Sequence, residues 1–129
     1  MNMSVRARFI VLVVLLGLSA LSSAQSHASL LASHIRKETA IPFTHTTKYS
    51  KQAGAWSCIV LTVKPKDAVT DNATAMGLLY KKGKKWIVVD YVLGTAMEGT
   101  IKEMQRKSYR PDGTAKIMKP PATIFPKKL

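Results

Sequence analysis

From residue 27 onward the spacing of apolar side chains changes along the chain, and each change marks an element. Leu31 and Ile35, with the adjacent Leu30 and His34, form a stripe at helical spacing; Arg36 and Lys37 turn away from it, and Pro42 forbids continuation. The pattern predicts one amphipathic helix over residues 27–39. From Thr44 the composition becomes β-branched and aromatic, through Thr46, Thr47 and Tyr49, up to a polar break at Ser50–Gly54. Ala55–Val63 carries the strongest strand signal. Trp56, Cys58 and Val60 alternate with Ile59, Leu61 and Val63, so both sets are apolar, as in a central strand covered on both faces. Pro65 ends it.

Lys66–Asn72 reads as a loop because Asp67, Asp71 and Asn72 are turn formers in a stretch with little apolar periodicity. Thr74–Lys81 and Lys84–Leu93 are strand-like runs joined at Lys82–Gly83, a hairpin whose tight turn would set Leu79 opposite Trp86 and Leu78 opposite Ile87. Past Gly94 the periodicity thins. Thr95 with Glu98 and Thr100 with Glu103 have capping-box spacing, and Ile101 and Met104 give a narrow apolar stripe, which predicts a short helix near 96–108. Arg110-Pro111-Asp112-Gly113 has turn composition, and Lys116–Leu129, with three prolines and four lysines, is expected to run extended over the surface or fray. No repeat at solenoid periods is present.

The segment before the first helix changes how this pattern is bounded. Met1–Arg8 carries two arginines and no acid, Phe9–Leu18 is apolar apart from Gly17, and Ser19–Ala28 is small and polar, the tripartite build of a secretory signal peptide. A small-x-small site at Ser22-Ser23-Ala24 places cleavage before Gln25, and Ser26-His27-Ala28 is a second such site. No cysteine follows the apolar run to take a lipid, and Ala7 separates Arg6 from Arg8, which removes the twin-arginine route. The expected organisation is a signal peptide over 1–24, a small α+β domain over 25–94, and a basic helical or extended segment over 95–129. The expected destination is the periplasm or the exterior.

The 129-residue chain is long enough for one domain, its apolar fraction of 47% excludes a wholly disordered chain, and outside the N-terminal segment it has no apolar run long enough to span a membrane. Lys and Arg number 20 against 7 acids, a formal charge of +13 that becomes +11 once residues 1–24 and their two arginines are gone. The single cysteine, Cys58, cannot form a disulfide within the chain, so an exported form must rely on packing.

Leu78-Leu79-Tyr80-Lys81-Lys82-Gly83-Lys84-Lys85-Trp86-Ile87-Val88-Val89, running on to Gly94, together with the Trp56 strand and the acidic loop at Asp67 and Asp71, resembles small secreted bacterial proteins of unassigned role. Those proteins share a tryptophan strand, a Leu-Leu-x-Lys hairpin and a Trp-x-Val-Val strand. A helix followed by four strands is also the order of cystatin-like folds, in which a curved antiparallel sheet wraps one helix. The resemblance covers about residues 27–94. It implies an α+β domain with the N-terminal helix packed on a four-stranded antiparallel sheet, followed by a short C-terminal helix or extended tail. Its motifs are packing motifs and carry no activity. Cystatin inhibitors present a Gln-x-Val-x-Gly loop, and Gln52-Ala53-Gly54 sits in the first hairpin position, but the valine is missing and the spacing is short.

The chemistry-bearing residues are sparse. His27, His34 and His45 have no partner at a metal-ligand spacing, and Asp67 and Asp71 lack the acidic density of a calcium loop. Cys58, a conceivable nucleophile served by His45, stands in an apolar strand where desolvation raises the thiol pKa. Asp90 interrupts an apolar strand on the same alternating set as Trp86 and Val88, so that either this end of the strand faces solvent or a lysine partner, or Asp90 lines a pocket on the concave sheet face. No phosphate-binding glycine loop and no nucleophile elbow is present. The Asn72-Ala73-Thr74 sequon matters only in a eukaryotic secretory pathway.

The positive charge is the remaining lead. Lys81, Lys82, Lys84 and Lys85 crowd the hairpin tip, and Lys102, Arg106, Lys107, Arg110, Lys116, Lys119, Lys127 and Lys128 follow. Such a field attracts an anionic envelope component or an acidic protein partner; nucleic acid is disfavoured because Tyr80, Trp86 and Tyr109 give no interleaved stacking pattern. The sequence thus predicts a non-enzymatic binding or accessory protein of the bacterial envelope that uses no cofactor and no metal. Its candidate binding residues are Lys81, Lys82, Lys84, Lys85, Trp86 and Asp90. The alternatives are a small pocket-bearing enzyme using Asp90 with His34 or His45, and a protease inhibitor.

Overall fold

The computed structural model describes residues 26–67, 69–95, 98–111 and 116–128, so the expected signal peptide lies outside the described residues. Helix α1 spans residues 26–39 and is followed by β1 (Phe43–Ala53), β2 (Trp56–Pro65), β3 (Ala73–Lys82), β4 (Lys85–Gly94), α2 (Glu98–Arg106) and a single 3-10 turn at Ala122–Ile124. The four strands form one antiparallel meander in the order β1-β2-β3-β4. This is the expected α+β fold, a helix on a four-stranded antiparallel sheet.

Of the stripe that the spacing predicts, Leu31 and Ile35 hold helix α1 to the sheet, while Leu30 and His34 are only half-buried and Ala28 and Ala32 complete the contact instead. Ala28, Leu31, Ala32 and Ile35 are buried against Phe43, Ile59, Leu61, Val63, Ala75 and Leu79 on one face of the sheet. The helix lies so close to β3 that a Cβ at Gly77 would overlap the Leu31 side chain, which is why that strand position carries no side chain. At the other end of α1, Ala40 takes a left-handed φ of 58° and its N–H donates to the Arg36 carbonyl at 2.8 Å, closing the last turn before Pro42.

The opposite face is covered too. Trp56, Cys58, Val60, Met76 and Leu78 pack against Ile101 and Met104 of α2 and against Ile124 and Phe125. The segment after residue 116, expected to lie loosely on the surface or fray, instead inserts Ile124 (0% exposed) and Phe125 (4%) into this second core. The Tyr49 hydroxyl donates to the Ile124 carbonyl at 2.7 Å, and a two-way backbone bridge joins Tyr109 to Met118. The prolines in this segment supply an extended path that needs few backbone partners, and its few apolar residues do the anchoring. Strand β2 is therefore covered on both faces, as its two apolar sets predict.

Two expectations about register change. The polar stretch Ser50–Gln52 is not a break, because these residues continue β1 and pair with Ile59, Cys58 and Ser57; polar side chains are tolerated there because β1 is an edge strand. The second hairpin turns at Gly83–Lys84, one residue later than expected, so Tyr80 rather than Leu78 faces Ile87, and Lys81 rather than Leu79 faces Trp86. Gly83 has φ +63° and Gly54 has φ +59°, each the first residue of a two-residue loop, where the primed turns that suit strand twist require positive φ. The turn thus takes its glycine as first residue, where the positive φ falls, rather than as second.

Candidate functional site

The meander puts the Gly54–Ala55 and Gly83–Lys84 turns at one end of the sheet, and α1, which ends beside the start of β1, begins at that same end. There the first turns of α1 and the β3–β4 tip enclose a shallow, open cleft of about 450 Å³. Ser26, Ser29, Ser33 and Leu30 line it from the helix; Lys84, Lys85 and Trp86 line it from the hairpin. The serines reach the cleft because positions 26, 29 and 33 fall on one helical stripe.

Trp86 is braced from behind. Its ring lies 4.4 Å from the His27 ring at an interplanar angle of 56°, and His27 Nδ1 is 3.1 Å from the Ser57 hydroxyl. His27 is 5% exposed and Ser57 is fully buried. Burial lowers the His27 pKa from its ordinary value, so the imidazole is neutral at pH 7 and Ser57 is either its donor or its acceptor. With no exposed hydroxyl, this Ser–His pair cannot present a nucleophile to a substrate; it orders the indole.

The lysines at the tip are exposed, and Lys81, Lys82, Lys84 and Lys85 have no ion-pair partner among the described residues. Of the candidate residues, the structure brings Lys84, Lys85 and Trp86 together in the cleft, with Lys81 directly across the ladder from Trp86 and Lys82 across from Lys85.

Asp90 is elsewhere. A bulge at Val89 sets Val88 opposite Leu79 but Asp90 opposite Leu78, which reverses the alternation partway along β4. Trp86 and Val88 therefore face α1, whereas Asp90 faces the second core, where it accepts a 2.8 Å hydrogen bond from the Tyr109 hydroxyl and lies 3.7 Å from the Lys107 ammonium. This corrects the expectation of one concave surface shared by Trp86 and Asp90, and it agrees with the alternative in which Asp90 meets a lysine, here Lys107. The bulge is invisible to a period-two reading. Asp90 ties the segment after α2 to the sheet, and burial first, then the Asp90 hydrogen bond, pushes the Tyr109 pKa upward.

The histidines are all engaged away from Asp90. His34 Nε2 is 3.2 Å from Glu38 Oε1, and the Tyr91 hydroxyl donates to Glu38 Oε2 at 2.6 Å. His45 Nδ1 accepts from the Arg36 guanidinium at 3.2 Å, and burial followed by that cation lowers its pKa. The acid–base pair of the enzyme alternative is therefore not assembled. Cys58 faces the second core while His45, paired with Val63, lies on the α1 side; burial pushes the Cys58 thiol up to about 12, which leaves no thiolate at neutral pH. Asp67 accepts from the Val69 and Thr70 N–H groups and the Thr70 hydroxyl, an ordinary loop turn that holds its carboxyl below the usual range. Among the described residues no group of three or more His, Cys, Asp or Glu side chains is placed to share a metal ion, and no helix is long and apolar enough to cross a membrane.

Sequence reasoning missed Ser26, His27, Ser29, Ser33 and Ser57. The serine spacing was legible as a polar stripe on α1, but its relation to the hairpin tip depends on the sheet. The sequence matches no family model, no curated protein and no solved structure.

Proposed function

We propose that this chain is an exported, non-enzymatic binding module of the bacterial cell envelope whose cleft at the β3–β4 tip takes an anionic ligand. The observation that carries the reading is the convergence of unpaired lysines with a concave surface bearing three serines and a braced tryptophan. Four ammonium groups at one tip, with no carboxylate among them, draw an anion by a field that salt weakens; a concave wall holds it after the field has been screened. Export rests on the tripartite N-terminus. Burial of His27 and Ala28 in the α1 interface supports processing before Gln25 rather than after Ala28, since the later cut would strip both residues from the core and leave Ser57 without its partner.

The chain is expressed at full length, purified as the cell leaves it, weighed by mass spectrometry, and titrated with short anionic oligomers at about 150 mM salt, where surface attraction alone is largely screened. Saturable binding that Lys84→Gln and Lys85→Gln abolish supports the reading. Binding that disappears at this salt concentration, or that survives both substitutions, overturns it.

A further inference from the structure

Resting on the anionic-ligand reading of the cleft, we infer that the ligand is an acidic saccharide, a short glycan whose sugar rings carry carboxylates. The cleft combines three different kinds of wall, and each answers a different part of such a molecule. Trp86 offers an indole whose electron-rich face attracts the weakly positive C–H bonds of a pyranose ring. Ser26, Ser29 and Ser33 present hydroxyls along one side, each able to donate and accept, which suits the donor–acceptor pattern of sugar hydroxyls. Lys84 and Lys85 supply the charge for the carboxylate. The volume of about 450 Å³ falls within the roughly 300–1,000 Å³ of small-ligand sites.

Other anions fit these walls less well. A bare polyanion is held by charge and has no use for an aromatic wall with a serine stripe. A lipid surface calls for exposed apolar side chains beside the lysines, yet of the large exposed apolar residues Ile41 and Val69 lie in the α1–β1 and β2–β3 connections at the other end of the sheet, and Ile117 adjoins the Tyr109–Met118 bridge over the second core, the face opposite the cleft. A single nucleic-acid strand is gripped by successive stacking faces along a groove, whereas Trp86 is the one aromatic residue lining this cleft. The indole is also held in place before any ligand arrives, by His27 and, through it, Ser57, so its own ordering adds little to the cost of binding.

The test is a titration of the isotopically labelled chain at about 150 mM salt, read by amide and indole N–H resonances. Three probes are compared: uronic-acid trimers of gluco and galacto configuration, the neutral hexose trimers of the same configurations, and inorganic polyphosphate. The expected result is that a uronic-acid trimer saturates and moves the Trp86 indole signal while the Trp56 indole, buried on the opposite face, stays fixed. The neutral trimers bind more weakly, and Trp86→Ala reduces uronate affinity about tenfold, roughly the loss of one aromatic contact. Because Trp86 also packs on the core, Trp86→Phe and the exposed pair Ser29→Ala/Ser33→Ala are measured beside it, the first expected to retain part of the affinity and the second to lose a few-fold. Polyphosphate binding at the lysines, with no uronate binding or with uronate binding indifferent to Trp86 and the serines, overturns the saccharide inference and leaves the anionic-ligand reading standing. If no probe moves the tip resonances, both fall.

Discussion

His27 and Ser57, separated by 30 positions in the sequence, meet through a 3.1 Å Nδ1–Oγ hydrogen bond inside the interface between helix and sheet. The pair is a polar island in an otherwise apolar layer, and it stands directly behind the tryptophan of the candidate cleft. Ser57→Ala removes one partner and leaves a buried ring nitrogen unsatisfied, which costs about 1–3 kcal/mol. Urea unfolding of the variant should show a lower midpoint with an unchanged slope. A midpoint equal to that of the parent would mean that water replaces the hydroxyl and that the pair braces nothing.

The same environment makes stability depend on acidity. His27 and His45 both have folded pKa values below the ordinary 6.5, so between that value and their folded pKa the unfolded chain binds protons that the folded chain refuses. Their contribution to stability is fully present above pH 6.5, declines as pH falls from there to the folded pKa values, and levels off below them. Urea midpoints measured between about pH 8 and pH 5 should fall toward the acid end. His27→Gln with His45→Gln should flatten that decline, and an equally steep profile in the double variant would assign it to other groups.

At Gly77 the Leu31 side chain of α1 occupies the space where a Cβ would stand. Gly77→Ala drives a methyl group into the Leu31 side chain, an overpacking that costs about 1–3 kcal/mol. Leu31→Ala alone also destabilises the fold by opening a cavity, yet the two together should be less harmful than their sum, because each supplies the space the other needs. A double-mutant cycle by chemical denaturation measures this, and strict additivity would show that the contact is relieved by backbone movement instead.

Ala40 closes α1 with a left-handed φ that L side chains adopt at a cost. Ala40→Gly should therefore stabilise the protein, by about 0.5–1 kcal/mol after the greater freedom of glycine in the unfolded chain is counted. A thermal scan of the single variant checks it. Any loss of stability would mean that the Ala40 methyl group makes a contact worth more than the strain.

Truncation after Gly94 tests the second core. It would expose Trp56, Cys58, Val60, Met76 and Leu78 to water and remove the acceptor of the Tyr49 hydroxyl, so the shortened chain should lose cooperative unfolding and bind a hydrophobic dye. Tyr49→Phe in the full chain is the milder counterpart, expected to cost about 1 kcal/mol. A truncated form that unfolds cooperatively at the parent's midpoint would make residues 95–129 dispensable for the fold.

Much of the fold was legible in the residues because local periodicity is a local property. The α1 stripe, the doubly apolar β2 and the glycine-marked hairpin each follow from side-chain spacing within one segment, and each stands in the structure close to where the spacing puts it. The charge at the hairpin tip was equally legible, since Lys81, Lys82, Lys84 and Lys85 are neighbours in the chain. What only the tertiary structure decided are relations between segments. One extra residue at Val89 carries Asp90 to the face opposite Trp86, and a bulge depends on how a strand meets its neighbour. The C-terminal segment, sparse in apolar residues, becomes a core layer because the sheet offers it an uncovered face and Tyr49 a hydrogen bond. The cleft joins serines at positions 26–33 to a tryptophan at 86, and no periodicity links residues so far apart; that link exists only because a helix docked by Leu31 and Ile35 lies across the strands that end at the basic turn.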